Sequence, residues 1–538
     1  MLPGKMSYED LTHRFEWKIP EAFNLGHDLC DHWADREPDR LALVHVKESG
    51  ETEDYSFGRL KRASNRLANL LTARGVGRGD RVALLLPQVP QTAIAHIAVY
   101  KIGAIAVPMA DLFGVDALEY RLTNSGAKVL ITSSASFEKI SQFRDRLPDL
   151  SAVLSIDGAG DHADDLNAAM ELAADTFPIA ATGPDDPAVM VYTSGTTGPP
   201  KGALHGHRVL LGHLPGVQFS HEFLPQPGDR MWTPSDWAWA GGLFNVMMPA
   251  LHFGIPVVAH RFAKFDPERA FSLIADHGVR NALIAPTGLK MMRTVSDPAA
   301  RHKLNVRTLF SGGETVGSEL NDWTGEVFGL KINEVYGQTE CNLVLGSCAE
   351  IGVWRSGAIG KPVPGHTVAI VNDAGEAVPR GEVGHIAVQR PDPVMFLEYW
   401  GRPDATREKY VGDWLLTGDQ GCRDEDGYFH FVGRDDDVIT SASYRIGPGE
   451  IEDCLIGHPA IALAAVVGKP DPVRTEIVKA FVVLKEGYEP SDALAAEITA
   501  HVRTRLAAHE YPREISFEES LPLTTTGKVI RRLLRERA

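Results

Sequence analysis

The chain has 538 residues, 44% of them apolar and 23% charged, which excludes a wholly disordered protein. That length corresponds to about three to four domain-sized units. With 54 Lys and Arg against 71 Asp and Glu, the net charge is −17; such a surface repels phosphate backbones, so no nucleic-acid partner is expected.

The first 17 residues carry acidic side chains and no apolar run, so neither a signal nor a transit peptide is expected. The last four, RERA, form no peroxisomal address, and a cytoplasmic location is the expectation. A helix is predicted at 57–74. The greasiest stretch, 82–109, is interrupted by Pro87, Gln88, Pro90, His96 and Lys101. It reads as strand, helix, strand, and no membrane span is expected. Strand-like runs recur at 128–132, 188–192, 256–259, 281–285 and 308–311, with a second helical pattern at 267–277. This alternation predicts an α/β fold of layers with largely parallel sheets. After about residue 355 the texture changes to short strands and turns, which predicts a β subdomain over about 355–434 at the end of a large N-terminal domain, 1–434. From 437 to 538 a small α+β domain is predicted, with an amphipathic helix at 491–508 capped by Ser491.

Five cysteines, at 30, 341, 348, 422 and 454, include no CxxC pair, so reduced thiols are expected. His205, His207 and His213 form an HxH with a third histidine nearby. No Cys or acidic residue adjoins them, which favours structural or surface roles over a metal site. The tryptophan-rich segment 232–239 reads as plain core or as the wall of a pocket.

Residues 193–202 read TSGTTGPPKG directly after an apolar run. Three glycines let main-chain N–H groups turn toward an anion. Thr193, Ser194, Thr196 and Thr197 add hydroxyl donors around Gly195 and Gly198, and Lys201 adds a positive charge. This is the chemistry of a polyphosphate cradle. It departs from a Walker A loop, because Pro200 stands where that pattern needs glycine and Gly202 follows the lysine.

The string resembles the signature of the acyl-adenylate-forming superfamily: acyl-CoA synthetases, carrier-loading adenylation domains and luciferases. SGGET at 311–315, YGQTE at 336–340, TGD at 417–419, GRDDD at 433–437, YRIGPGEIE at 444–452 and TTTGK at 524–528 follow in that family's order. The resemblance spans nearly the whole chain and is closest to the medium-chain acyl-CoA synthetases. It implies an ATP-dependent carboxylate–CoA ligase that forms acyl-AMP and then acyl-CoA, releasing AMP and pyrophosphate. It also implies that the small C-terminal domain is mobile about a hinge near Asp436.

On this resemblance, Thr193 to Gly198 and Lys201 cradle the ATP phosphates. Gly313, Glu314 and Thr315 line the adenine face, Tyr336 stacks on the base, and Glu334, Gly337 and Gln338 belong to the same nucleotide site. Thr339 and Arg445 meet the α-phosphate, and Asp419 and Arg434 hold the ribose. Glu340 holds Mg²⁺ with ATP. Lys528 bridges the carboxylate and the α-phosphate. The co-substrate CoA is assigned to Ala442, Ser443, Tyr444, Arg474, Tyr511, Pro512 and Arg513. Ser443 replaces the glycine usual in the family. Trp237, Trp239, Leu243 and Gly337 are assigned to the acyl pocket. Acetate-preferring members carry tryptophan at the position of Gly337, so a medium-chain, branched or aromatic acid is implied. The partners expected are therefore a small carboxylic acid, ATP and CoA. The sequence leaves open a carrier protein as acyl acceptor, a benzoate-type aryl-CoA ligase, and assembly as a homo-oligomer.

Overall fold

A computed structural model of the protein describes residues 1–160, 163–193, 199–314, 316–435, 437–441, 444–471, 475–506, 511–523 and 528–538. Four sheets organise them, of nine, eight, five and five strands. The eight-stranded sheet has a parallel centre: Arg81–Leu85, Ile105–Met109, Val129–Thr132 and Ala152–Ser155 pair in parallel. The nine-stranded sheet is parallel through Val257–Ala259, Met231–Trp232, Asn281–Leu283, Thr308–Gly312 and Ile332–Gln338, and antiparallel beyond. The predicted α/β layers are thus present, with antiparallel strands at their margins.

The helices between these sheets follow from local sequence. Phe57–Ala73 begins where Ser56 accepts the main-chain N–H of Arg59. Pro90–Ile102 starts on its own proline and stops at Gly103, whose φ of +75° a glycine adopts without penalty. One apolar core joins both sheets through these helices, with Leu43 and Val257 from one sheet, Val82 and Val189 from the other, and Leu67 and Ile97 between them. Among the described residues, no helix is long and apolar enough to cross a membrane. All five cysteines are free.

Lys101 is fully buried in this core, with Nζ 2.6 Å from Asp31 Oδ1 and bonded to Ser64 and Asn65. Removing one member of a buried pair leaves a charge without compensation. Lys101→Met is therefore expected to cost about 3–5 kcal/mol of stability, read from the urea midpoint, and Lys101→Met with Asp31→Leu is expected to cost less than the single change.

The third sheet, built from Val368–Val371, Gly384–Gln389, Tyr410–Val411, Trp414–Arg423 and Phe429–Arg434, is antiparallel throughout. It matches the predicted β texture. The chain then enters the fourth sheet at Ile439–Ser441, so sheet membership changes between Arg434 and Ile439. That sheet combines Tyr444–Ile446, Ile461–Asp471, Thr475–Leu484 and Glu514–Phe517. Helix Asp492–Arg505 packs on it, and Ser491 caps it at the N–H of Leu494, as predicted. Asp436 lies outside the described residues.

Candidate active site

Strand Pro187–Thr193 is buried along its centre and pairs antiparallel with Lys201–Gly206, with Thr193 opposite Lys201. The threonine-glycine loop is therefore closed at its neck; Ser194, Gly195, Thr196, Thr197 and Gly198 lie outside the described residues. Helix Val115–Ser125 holds both sides of that neck. Tyr120 Oη donates to the carbonyl of Pro200 at 2.9 Å, and Tyr192 Oη to Asn124 Oδ1 at 2.8 Å. Gly202 lets Met190 pack close, since a Cβ here would stand 2.7 Å from its Sδ and push that side chain aside. Beyond the neck, Lys201 Nζ lies over the Tyr399 ring, 5.1 Å from its centre. The Tyr399 hydroxyl donates to Glu340 Oε1, and Glu340 is buried. Burial, reinforced by the Glu340 charge, drives the Tyr399 pKa upward and keeps that hydroxyl a donor.

Strands Thr308–Gly312 and Ile332–Gln338 run parallel, with Ser311 opposite Glu334 and Gly312 opposite Val335. Their C-terminal ends deliver Gly313 and Glu314 and the run Tyr336 to Glu340 to one edge, the place where open α/β sheets bind ligands. Tyr336 Oη donates to Asp419 Oδ2 at 2.6 Å, and Arg434 Nε is 3.8 Å from Asp419 Oδ1. Asp419 and Arg434 are also opposite each other in the third sheet. Burial raises the Asp419 pKa, and the Arg434 charge opposes that rise. Glu314 accepts from the Thr287 hydroxyl at 2.9 Å. Gln338 Nε2 bonds the carbonyl of Thr417 at 2.9 Å. Thr339 stands in the turn after the strand. Glu334, half-buried, has its carboxyl pushed up to about 8, mainly by burial. Thr315 lies outside the described residues.

Lys528 comes from the far end of the chain to this same edge. Its Nζ is 3.6 Å from where a Cβ of Gly313 would stand, and Gly313 has φ +86°. Protein packed around the ammonium lowers its pKa, while Glu314 and then Asp419 raise it; the residue keeps solvent-exposed surface. The segment after it is anchored, because Arg531 Nη2 is 2.6 Å from Glu452 Oε2. One cation from the C-terminal end of the chain thus stands in the field of carboxylates carried by the nine-stranded and third sheets.

Of the structural and surface roles expected for the three histidines, the structural one is found: His205 and His207 are fully buried, and burial lowers their pKa values to about 3 and about 4. Among the described residues no three His, Cys, Asp or Glu side chains are grouped to hold a metal. Trp237 and Leu243 are fully buried in the central core, but Trp239 belongs to a separate cluster, with its ring centre 5.5 Å from that of Phe113. Gly337 does not face open space. A Cβ there would strike the main chain of Asn342 and Leu343, 2.6 Å from Asn342 Cα. This glycine lets the turn between Ile332–Gln338 and Cys341–Gly346 fold back on itself, so a tryptophan substitution would displace the turn.

Of the residues assigned to CoA, Ala442, Ser443 and Arg474 lie outside the described residues. Their flanks meet, however, because Ser441 pairs with Thr475 across two strands. Tyr444 and Arg445 lie in strand Tyr444–Ile446, with Arg445 opposite Thr440. Tyr511 sits between Arg503 and Arg513, whose guanidinium carbons are 5.3 and 4.9 Å from its ring centre. Pro512 is buried beside it, and the Arg513 N–H joins the sheet at Val478. Sequence reasoning missed Tyr120, Asn124 and Tyr399. It also missed Asn245, whose Oδ1 accepts from Asn342 at 3.0 Å and ties the helical segment Leu243–Met247 to the strand that follows the Gly337 turn. No spacing rule signals these, since each partner lies more than 50 residues away in sequence.

The family described as AMP-binding enzyme matches residues 30–400, and the AMP-binding enzyme C-terminal domain matches residues 450–528. This chain belongs to the AMP-binding enzyme family. It is 35% identical to the mitochondrial acyl-coenzyme A synthetase ACSM3 of Rattus norvegicus, over 99% of this chain and 93% of that protein. It is 34% identical to the acetyl-coenzyme A synthetase of Bacillus subtilis, over 98% of this chain and 94% of that one. A crystal structure of the anthranilate CoA ligase AuaEII in complex with anthranoyl-AMP superimposes with a TM-score of 0.88 at 29% identity, covering 96% of this chain and 98% of the other.

Proposed function

We propose that the protein is an ATP-dependent acid–thiol ligase that joins a medium-chain, branched or aromatic carboxylic acid to CoA. The observation that carries this reading is the approach of Lys528 to Gly313, Glu314 and Asp419 at the strand ends. A carboxylate oxygen attacks the α-phosphorus of ATP, the bond to the pyrophosphate oxygen breaks, and acyl-AMP forms. The CoA sulfur, having lost its proton, then attacks the acyl carbon and AMP leaves.

In this reading the loop from Thr193 to Lys201 holds the phosphates and Tyr336 packs against the adenine. The Asp419 carboxylate accepts from the ribose hydroxyls, with Arg434 beside it. Lys528, Thr339 and Arg445 face the α-phosphate, where charge builds in the transition state. Glu340 suits Mg²⁺: one buried carboxylate is what that ion takes from a protein when phosphates and water fill its other positions. The ion would neutralise phosphate charge. The CoA thiol would arrive past Ala442, Ser443 and Tyr444, with Arg474 and Tyr511 to Arg513 holding the nucleotide end. Asp436 would be the pivot between N-terminal residues 1–434 and C-terminal residues 437–538.

The relatives' names range from acetyl to anthranoyl, so the acid must be argued from the residues. Trp237, Leu243 and Leu343 share one apolar cluster beside the turn of Gly337. An apolar wall gains about 0.8 kcal/mol per buried methylene. Across a series from acetate to decanoate plus benzoate, kcat/KM for acyl-CoA formation is expected to peak at about four to ten carbons or at the aromatic acid, about ten- to a hundredfold above acetate. A maximum at acetate would overturn the pocket assignment.

A further inference from the structure

Helix Ser318–Phe328 starts in the nucleotide-binding half of the chain without a cap of its own, because its N-cap is Gly317, which has no side chain. The cap comes from elsewhere. The carboxylate of Asp453, on helix Pro448–Ile456 of the C-terminal sheet, occupies the space a Gly317 Cβ would fill, and the nearby Ser318 main-chain N–H favours its charged form. Gly317 has φ +76°, a left-handed conformation that suits glycine, so notch and backbone agree. Burial in this contact raises the Asp453 pKa, and Lys290 opposes the rise.

The neighbouring residue ties this contact to the active site. Glu452 receives two bonds from Arg531, at 2.8 and 2.6 Å, and the N–H of Val466 at 2.8 Å. Arg531 lies three residues beyond Lys528. Asp453 and Lys528 therefore sit on one rigid unit, and seating the first on the helix end sets the second beside Gly313.

We propose that Asp453 is a positioning residue for adenylation: it caps helix Ser318–Phe328 across the two halves of the molecule and holds Lys528 in the cleft. The inference rests on the ligase reading. It assigns to the thioester step a different arrangement, in which the cap is undone.

Two half-reactions test it. The first is single-turnover pyrophosphate release from MgATP and acid without CoA. The second is thioester formation from supplied acyl-AMP and CoA. Asp453→Ala, a good helix former at a helical position, is expected to slow the first about tenfold, the scale of one lost N-cap, and to leave the second within about twofold. Asp453→Asn keeps an oxygen for the Ser318 N–H and is expected to recover most of the loss. Gly317→Ala should reproduce the defect, and combining it with Asp453→Ala should add little, because both remove one contact. An unchanged first half-reaction, equal slowing of both, or an asparagine variant no better than alanine would overturn the proposal. A measurement without chemistry separates its failure from that of the ligase reading. Nitroxides at Glu326→Cys and Glu489→Cys, with Cys422 and Cys454 changed to serine, should give one narrow distance that broadens in Asp453→Ala. A distribution indifferent to Asp453 sinks the cap even where the enzyme makes acyl-AMP. A broadened one supports it even where no tested acid reacts.

Discussion

Lys528→Ala is expected to slow pyrophosphate release by about a hundred- to a thousandfold, the cost of removing one preorganised donor from a developing charge. The thioester half-reaction from supplied acyl-AMP should change little. The asymmetry follows from where the lysine stands. Its ammonium is beside Gly313 at the strand ends, between Glu314 and Asp419, and is carried there by the C-terminal sheet. Arginine is not expected to rescue, because its planar, delocalised guanidinium does not reproduce the compact point charge of the ammonium. Near-normal pyrophosphate release by Lys528→Ala would remove the lysine from the reaction.

Asp419→Ala should raise the KM for ATP about a hundredfold. Two hydrogen bonds to an ionised acceptor contribute roughly 1.5 kcal/mol each at the low end, about 3 kcal/mol together. The same change frees the Tyr336 hydroxyl, now bonded to Asp419 at 2.6 Å. Binding of the base would then loosen along with that of the sugar. A second readout isolates the sugar contact: the native enzyme should discriminate strongly against 2′,3′-dideoxy-ATP, and Asp419→Ala should discriminate little. Equal discrimination by both proteins would show that the carboxylate serves the fold alone.

The parts of this site legible in the sequence are those written as contiguous strings. The glycine-threonine loop follows a strand, the Tyr336 to Glu340 run ends one and the TGD ending in Asp419 lies within one, so local sequence names the residues and its apolar runs name the strands that carry them. The alternation of apolar runs gave the α/β layers, and Ser491 marked its helix because a cap acts within one turn. What stayed hidden acts across the chain. Tyr399 reaches Glu340, 59 residues away, and Tyr120 reaches Pro200, 80 residues away. Asp453 fits Gly317 only after two sheets have come together. Gly337 shows the converse: a missing side chain implies an open pocket, whereas the main chain of Asn342 and Leu343 occupies that space. A glycine records that something is close, and the sequence alone does not say whether it is ligand or backbone.

Acid-dependent exchange of labelled pyrophosphate into ATP, measured without CoA, tests the central claim most directly. Exchange requires a reversible adenylate and nothing from the thioester step. It should appear with acids of about four to ten carbons or with benzoate, and AMP should accumulate catalytically only once CoA is added. Absence of exchange with every acid in the series, or release of ADP and orthophosphate in its place, would contradict the account.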